Sequence, residues 1–242
     1  MILSLFSVLS VKTATLAQNT KLKRYMKINQ TWLRTLGILG LLGGLILFAG
    51  DMLFYFDASN ANIKMNMGNA SDIRILLSGI TALIATWFYL LGLVPVYYAL
   101  KPTKSGVRNT IIISFAGILT AYGIIHGAYV AIATTAKVAV EYQLDIEIVT
   151  ALASKINQTL RLFVYPLFAL LSFLFIYQVW KRKTLYPRWI ILFFPLIPFL
   201  FRGILGKFLE GSIRIVIMGG YFNLILVIFF AASTIALWKA DA

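Results

Sequence analysis

The chain has no cysteine, one histidine and only 8 acidic residues among 242. The lack of cysteine removes any disulfide framework, thiol nucleophile or thiolate metal site. With a single histidine as well, the chain lacks the three or more N or S donors that most zinc sites need. No metal and no cofactor is expected. Charge is scarce too: 12% of the residues are charged, against about 25% in a soluble domain. There is no phosphate-cradling GxxxxGK[ST] motif and no GxSxG elbow. The multi-histidine patterns of membrane hydrolases and any redox-cofactor ligand pair are missing as well.

What is abundant is apolar. Hydrophobic residues make up 60% of the chain, and runs near 20 residues recur, so the solvent is a bilayer. Six segments stand out: Thr35–Phe56, Ile73–Leu100, Thr110–Ala136, Leu160–Trp180, Trp189–Leu209 and Ser212–Trp238. Each is long enough to cross a core of about 30 Å as a helix. Barrel strands would be about ten residues of alternating pattern, which these are not. The expected fold is all-α: a six-span transmembrane helical bundle. It forms one integral membrane domain over residues 35–242, after a basic segment over residues 1–34.

The net charge of +14 could point to nucleic acid, but its placement points to membrane loops. Lys12, Lys21, Lys23, Arg24, Lys27 and Arg34 precede the first segment. Lys101, Lys104 and Arg108 follow the second, and Lys181, Arg182, Lys183 and Arg188 follow the fourth. With Lys239, these stretches hold 14 of the 22 basic residues and one acid, Asp241. The other connections mix bases with acids such as Asp57, Asp72, Glu141 and Glu210. Both termini are therefore expected to be cytoplasmic, in an integral protein of the bacterial inner membrane, with no nucleic-acid partner. Trp32, Trp180, Trp189 and Trp238, with Tyr97, Tyr98 and Tyr186, fall at the same interface as an aromatic belt.

Two segments read ambiguously. "MILSLFSVLS" is a short apolar run without a basic n-region, so a signal peptide is poorly supported. Met26 would also make a natural start. Between the third and fourth segments, Val140, Leu144, Ile148, Leu152 and Ile156 repeat at i, i+4. They mark either an amphipathic surface helix, which could act as a lid, or helical extensions of the neighbouring spans.

Ionisable groups at membrane depth are costly and usually face the bundle interior. Asp51, His126 and Arg202 are the candidates, with the polar Asn223. All four fall toward the outer side, which suggests a pocket open there. Gly37, Gly40, Gly44, Asp51 and Tyr55 share one helical stripe, so Asp51 faces a neighbouring helix. Phe115, Leu119, Tyr122, His126 and Ala133 form another stripe. Pro195 and Pro198 are expected to kink the fifth segment. The candidate ligand-binding residues are Asp51, Tyr55, Tyr122, His126, Arg202 and Asn223, with Asp51 and Arg202 expected within water-bridging reach. A histidine in the site would make binding respond to pH between about 5 and 8.

The stretch "GDMLFY", Gly50 to Tyr55, with the glycine-rich helix before it, resembles an uncharacterised family of bacterial multi-pass membrane proteins, of the domain-of-unknown-function kind. That resemblance implies no activity. Three functions stay open. One is binding, or transport, of a small polar or amphipathic ligand, small molecule or lipid, in an outward-facing pocket. Another is an intramembrane enzyme on a lipid-soluble substrate, with Asp51 or His126 as acid or base. Lacking a nominated nucleophile, the chain leans away from that. The third is a structural or accessory subunit whose polar residues lock helices.

Overall fold

A computed structural model describes residues 29–57, 60 and 62–238. The run MILSLFSVLS, Met26, the lysines and arginine before residue 29, Lys239 and Asp241 lie outside the described residues. Among the described residues every regular element is a helix: α1 Gln30–Tyr55, α2 Ile63–Asn69, α3 Asp72–Ala99, α4 Ser105–Glu141, α5 Ile146–Trp180, α6 Ile190–Phe193, α7 Leu196–Phe208, α8 Gly211–Gly219 and α9 Tyr221–Leu237. Short polar side chains start several of them. The Asn29 side chain accepts from Thr31 N at 2.9 Å. Asn62 accepts from Met65 N at 3.1 Å, and Asp145 from Glu147 N at 2.8 Å. Each satisfies a backbone donor that the first turn leaves free.

The six-span expectation is corrected. Four helices, α1, α3, α4 and α5, are long and apolar enough to cross a membrane. The count rises to five if the bent pair α8–α9 is one span. Trp189–Leu209 is not one helix. It breaks at Phe194 and Pro195 into a four-residue turn and the 13-residue α7, which is about 20 Å long and too short for a core of about 30 Å. Pro195 cannot donate the amide that would continue a helix across the break. Ser212–Trp238 bends by 61° at the Gly219–Gly220 pair. Hydropathy sums apolar residues and does not register either break.

Of the two readings of the segment between the third and fourth spans, helical extension of those spans is the one the structure has, and there is no separate amphipathic helix between them. α4 runs unbroken to Glu141 and α5 begins at Ile146. The segment is therefore the ends of two long helices meeting in a tight turn. At 37 residues, α4 is about 56 Å long, so this hairpin overshoots a hydrocarbon core.

Small residues set the packing. A Cβ on Gly92 of α3 would lie 2.5 Å from the Gly40 Cα of α1, so these backbones touch. Gly37 and Gly44 of α1 make room for the side chains of Thr234 and Val227 of α9. Such contacts bring helices together where lipid gives no hydrophobic drive. The helices run in the order α9, α1, α3, α4, α5, with α2 seated on α4 where Gly68 meets Ala136. An aromatic cluster joins the two ends of that row. Phe175 of α5 stacks on Phe194 at 4.3 Å between centroids, and Phe229 of α9 meets both.

One end of the bundle is basic. Leu185 N donates to Ala99 O at 2.7 Å, and Thr103 Oγ1 to Lys183 O at 2.8 Å, so the two basic connections adjoin. Arg34 Nη2 donates to Trp238 O at 2.8 Å, which places the start of α1 beside the end of α9. Guanidinium groups stand over aromatic rings there, Arg34 over Trp238 at 4.7 Å and Arg188 over Trp180 at 5.1 Å. Tyr98 and Tyr186 are buried and belong to the core rather than to a belt.

Candidate functional site

A cavity of about 80 Å³ opens between α1, α4, α5, α7 and α9. One water needs roughly 10–15 Å³ by this measure, so the cavity holds several. Helical spacing builds its walls. α1 contributes Asp51 and Tyr55, one turn apart. α4 contributes Tyr122, His126 and Tyr129, at i, i+4 and i+7. α5 repeats that spacing with Arg161, Tyr165 and Phe168, and α9 supplies Phe222 and Asn223. Thus Asp51, Tyr55, Tyr122, His126 and Asn223 share one cavity. Arg202 is not among its lining residues. Its guanidinium stands 5.5 Å from the Phe222 ring centroid, and the positive charge in the cavity wall is Arg161.

Asp51 is buried and fully engaged. Asn223 Nδ2 donates to its Oδ2 at 2.6 Å. His126 Nδ1 lies 3.2 Å from its Oδ1. On the other side of the imidazole, His126 Nε2 lies 2.8 Å from Ser78 Oγ and 3.1 Å from the Ser78 carbonyl. Ser78 Oγ itself donates to Gly50 O at 2.8 Å. A carbonyl only accepts, so this set is satisfied when Nε2 carries the proton. Nδ1 and Oδ1 would otherwise both be acceptors, so their 3.2 Å contact needs a second proton, shared between His126 and Asp51. With the proton on either partner, the pair is neutral overall.

Asp51, His126 and Ser78 thus have the order of a hydrolase triad without its chemistry. A nucleophilic serine must give its proton to Nε2 and face the substrate. Here Nε2 donates, Ser78 gives its proton to a backbone carbonyl, and Ser78 is fully buried outside the cavity lining. The relay holds α1, α3 and α4 together behind the wall.

Gly50 explains the start of the GDMLFY stretch. A Cβ there would lie 2.0 Å from Thr81 Oγ1, so only glycine lets α1 approach α3 where its carbonyl takes the Ser78 proton. Asn223 is oriented from its far side, as Tyr89 OH donates to its Oδ1 at 3.3 Å.

Sequence reasoning missed Arg161, Ser78 and Tyr89. Arg161 stands at the first turn of the apolar run Leu160–Trp180, where an arginine reads as an interfacial anchor. The i, i+4, i+7 spacing of Arg161, Tyr165 and Phe168 is the signal that could have found it. In the structure Arg161 Nη2 donates to Tyr129 OH, with its guanidinium carbon 5.0 Å from that ring's centroid. Its Nε is buried without a partner. No metal-holding group of three or more His, Asp or Glu occurs among the described residues.

These features belong to a multi-pass, all-helical integral membrane protein. No curated protein and no solved structure matches the chain. A family profile, described as a family of unknown function, matches residues 26–240, which is most of the sequence. The chain belongs to that family, DUF6796.

Proposed function

We propose that this membrane protein binds a small polar or amphipathic molecule in the cavity between α1, α4, α5, α7 and α9. The carrying observation is that polar side chains from four of these helices converge on one open cavity. Locking helices together requires only paired hydrogen bonds. It gives no reason for these side chains to line one common, open cavity of about 80 Å³. The reading as an enzyme gains no nucleophile from Ser78, so binding is the better supported function.

The test is native mass spectrometry of the full chain released gently from its membrane. The wild type is expected to carry a bound small molecule. Val164 lines the cavity and is only partly buried, so Val164→Trp should fill the space and lose that mass while keeping its melting temperature. If wild type and filled variant carry the same complement, the polar residues serve only to lock helices.

A further inference from the structure

Resting on that reading of the cavity, we propose that its occupant is an oxyanion, carboxylate or phosphate, carried on an apolar chain. Among the lining residues only Asp51, His126 and Arg161 bear acidic or basic side chains. Asp51 and His126 share one proton and cancel. Arg161 pairs with no carboxylate in any ion pair among the described residues. The cavity therefore carries a net charge of about +1, wherever the shared proton sits. Arg161 stands on α5, one of the four helices long and apolar enough to cross a membrane, and an uncompensated charge on such a helix is costly and marks a ligand or ion path. Tyr129 answers one Arg161 donor and leaves Nε free. A guanidinium fork suits two oxygens of one carboxylate or phosphate.

A second feature adds positive potential at the same place. The 17-residue α9 starts at the Gly219–Gly220 break with no side chain capping it. Gly219 and Phe222 line the cavity. The first turn of a helix presents free N–H groups and a partial positive charge, and broken membrane helices aim such ends at anionic groups. Tyrosines join this turn to Arg161. A Cβ on Gly219 would lie 3.0 Å from the Tyr55 ring, and the Tyr55 ring meets Tyr129 edge-on at 5.6 Å. A cationic ligand finds no free carboxylate, because both oxygens of Asp51 are taken by Asn223 and His126. Away from the charge the wall is apolar, with Phe115, Phe168, Phe199 and Leu226. That division of surface fits a charged head and a hydrocarbon chain.

The experiment presents the full chain, in neutral detergent, with decanoate, decyl phosphate, decanol and decyltrimethylammonium at equal concentration. Bound masses are read by native mass spectrometry. Decanoate or decyl phosphate is expected to be retained at least tenfold over decanol and the cation. Arg161→Gln should erase that preference, and Val164→Trp should abolish retention. Selectivity in the wild type needs no variant, so a misfolded Arg161→Gln leaves the comparison intact. Equal retention of decanol, or preference for the cation, overturns the anionic head while the pocket stands. Displacement of decanoate by equimolar acetate or inorganic phosphate overturns the chain and makes the occupant a free anion. Retention of none of the four overturns this inference; the molecule that copurifies from the membrane then decides separately whether the pocket reading survives.

Discussion

Replacing Asp51 by asparagine and by alanine separates two things its carboxylate does. Asparagine can still accept from Asn223 and can donate its amide to His126 Nδ1, the pattern of a protonated Asp51 beside a neutral imidazole. Asp51→Asn is expected to change unfolding free energy in detergent by less than about 1 kcal/mol. Asp51→Ala strands the Asn223 amide and the imidazole, at about 1–3 kcal/mol for each unsatisfied group, so a loss near 3 kcal/mol is expected. Equal losses would show that the pair needs its charges, with the shared proton on His126. The inward face of Asp51 was legible because glycines mark the side of a helix that meets another backbone. The partners of Asp51 were legible only in part. His126 and Asn223 stand out as rare polar groups in apolar runs, whereas Ser78 and Tyr89 scarcely disturb hydropathy. Arg161 was hidden by its position at the edge of a run.

At the scale of elements, the α1–α3 contact separates glycines that matter from glycines that do not. Gly92→Ala puts a methyl group 2.5 Å from a backbone atom of Gly40, and backbone cannot swing aside. A loss of about 1–3 kcal/mol is expected, the usual range for overpacking. Gly127, in mid-helix on α4, has nothing within 4 Å of an added Cβ. Gly127→Ala should be neutral or stabilising by up to about 1 kcal/mol through helix propensity. Thermal unfolding of the two variants side by side decides the matter, and a Gly92→Ala protein as stable as wild type would mean the helices stand further apart. The four long helices were readable from hydropathy alone. The breaks at Phe194–Pro195 and Gly219–Gly220 were not, although Pro195 and the glycine pair are plain in the sequence. Apolar content stays high through both, so only the local backbone chemistry marks them.

For the whole molecule, the alternation of α3, α4 and α5 places the connections after α3 and after α5 at one end and the α4–α5 turn at the other. The chain has no cysteine, so single introduced thiols can be labelled without background. In sealed vesicles, Lys104→Cys and Lys183→Cys should react with an impermeant maleimide from one side, and Tyr142→Cys only from the other. Reaction of all three from one side would refute α4 and α5 as full crossings. The break after Phe193 also has a consequence for how the barrel of helices is held shut. A continuous helix through residues 189–209 would carry the Phe194 side chain on its own cylinder, beside its turn-mates. By stopping, the chain lets Phe194 reach sideways between Phe175 and Phe229. The interrupted segment thus works as a latch: it gives up the reach of a spanning rod, and in return fastens α5 to α9.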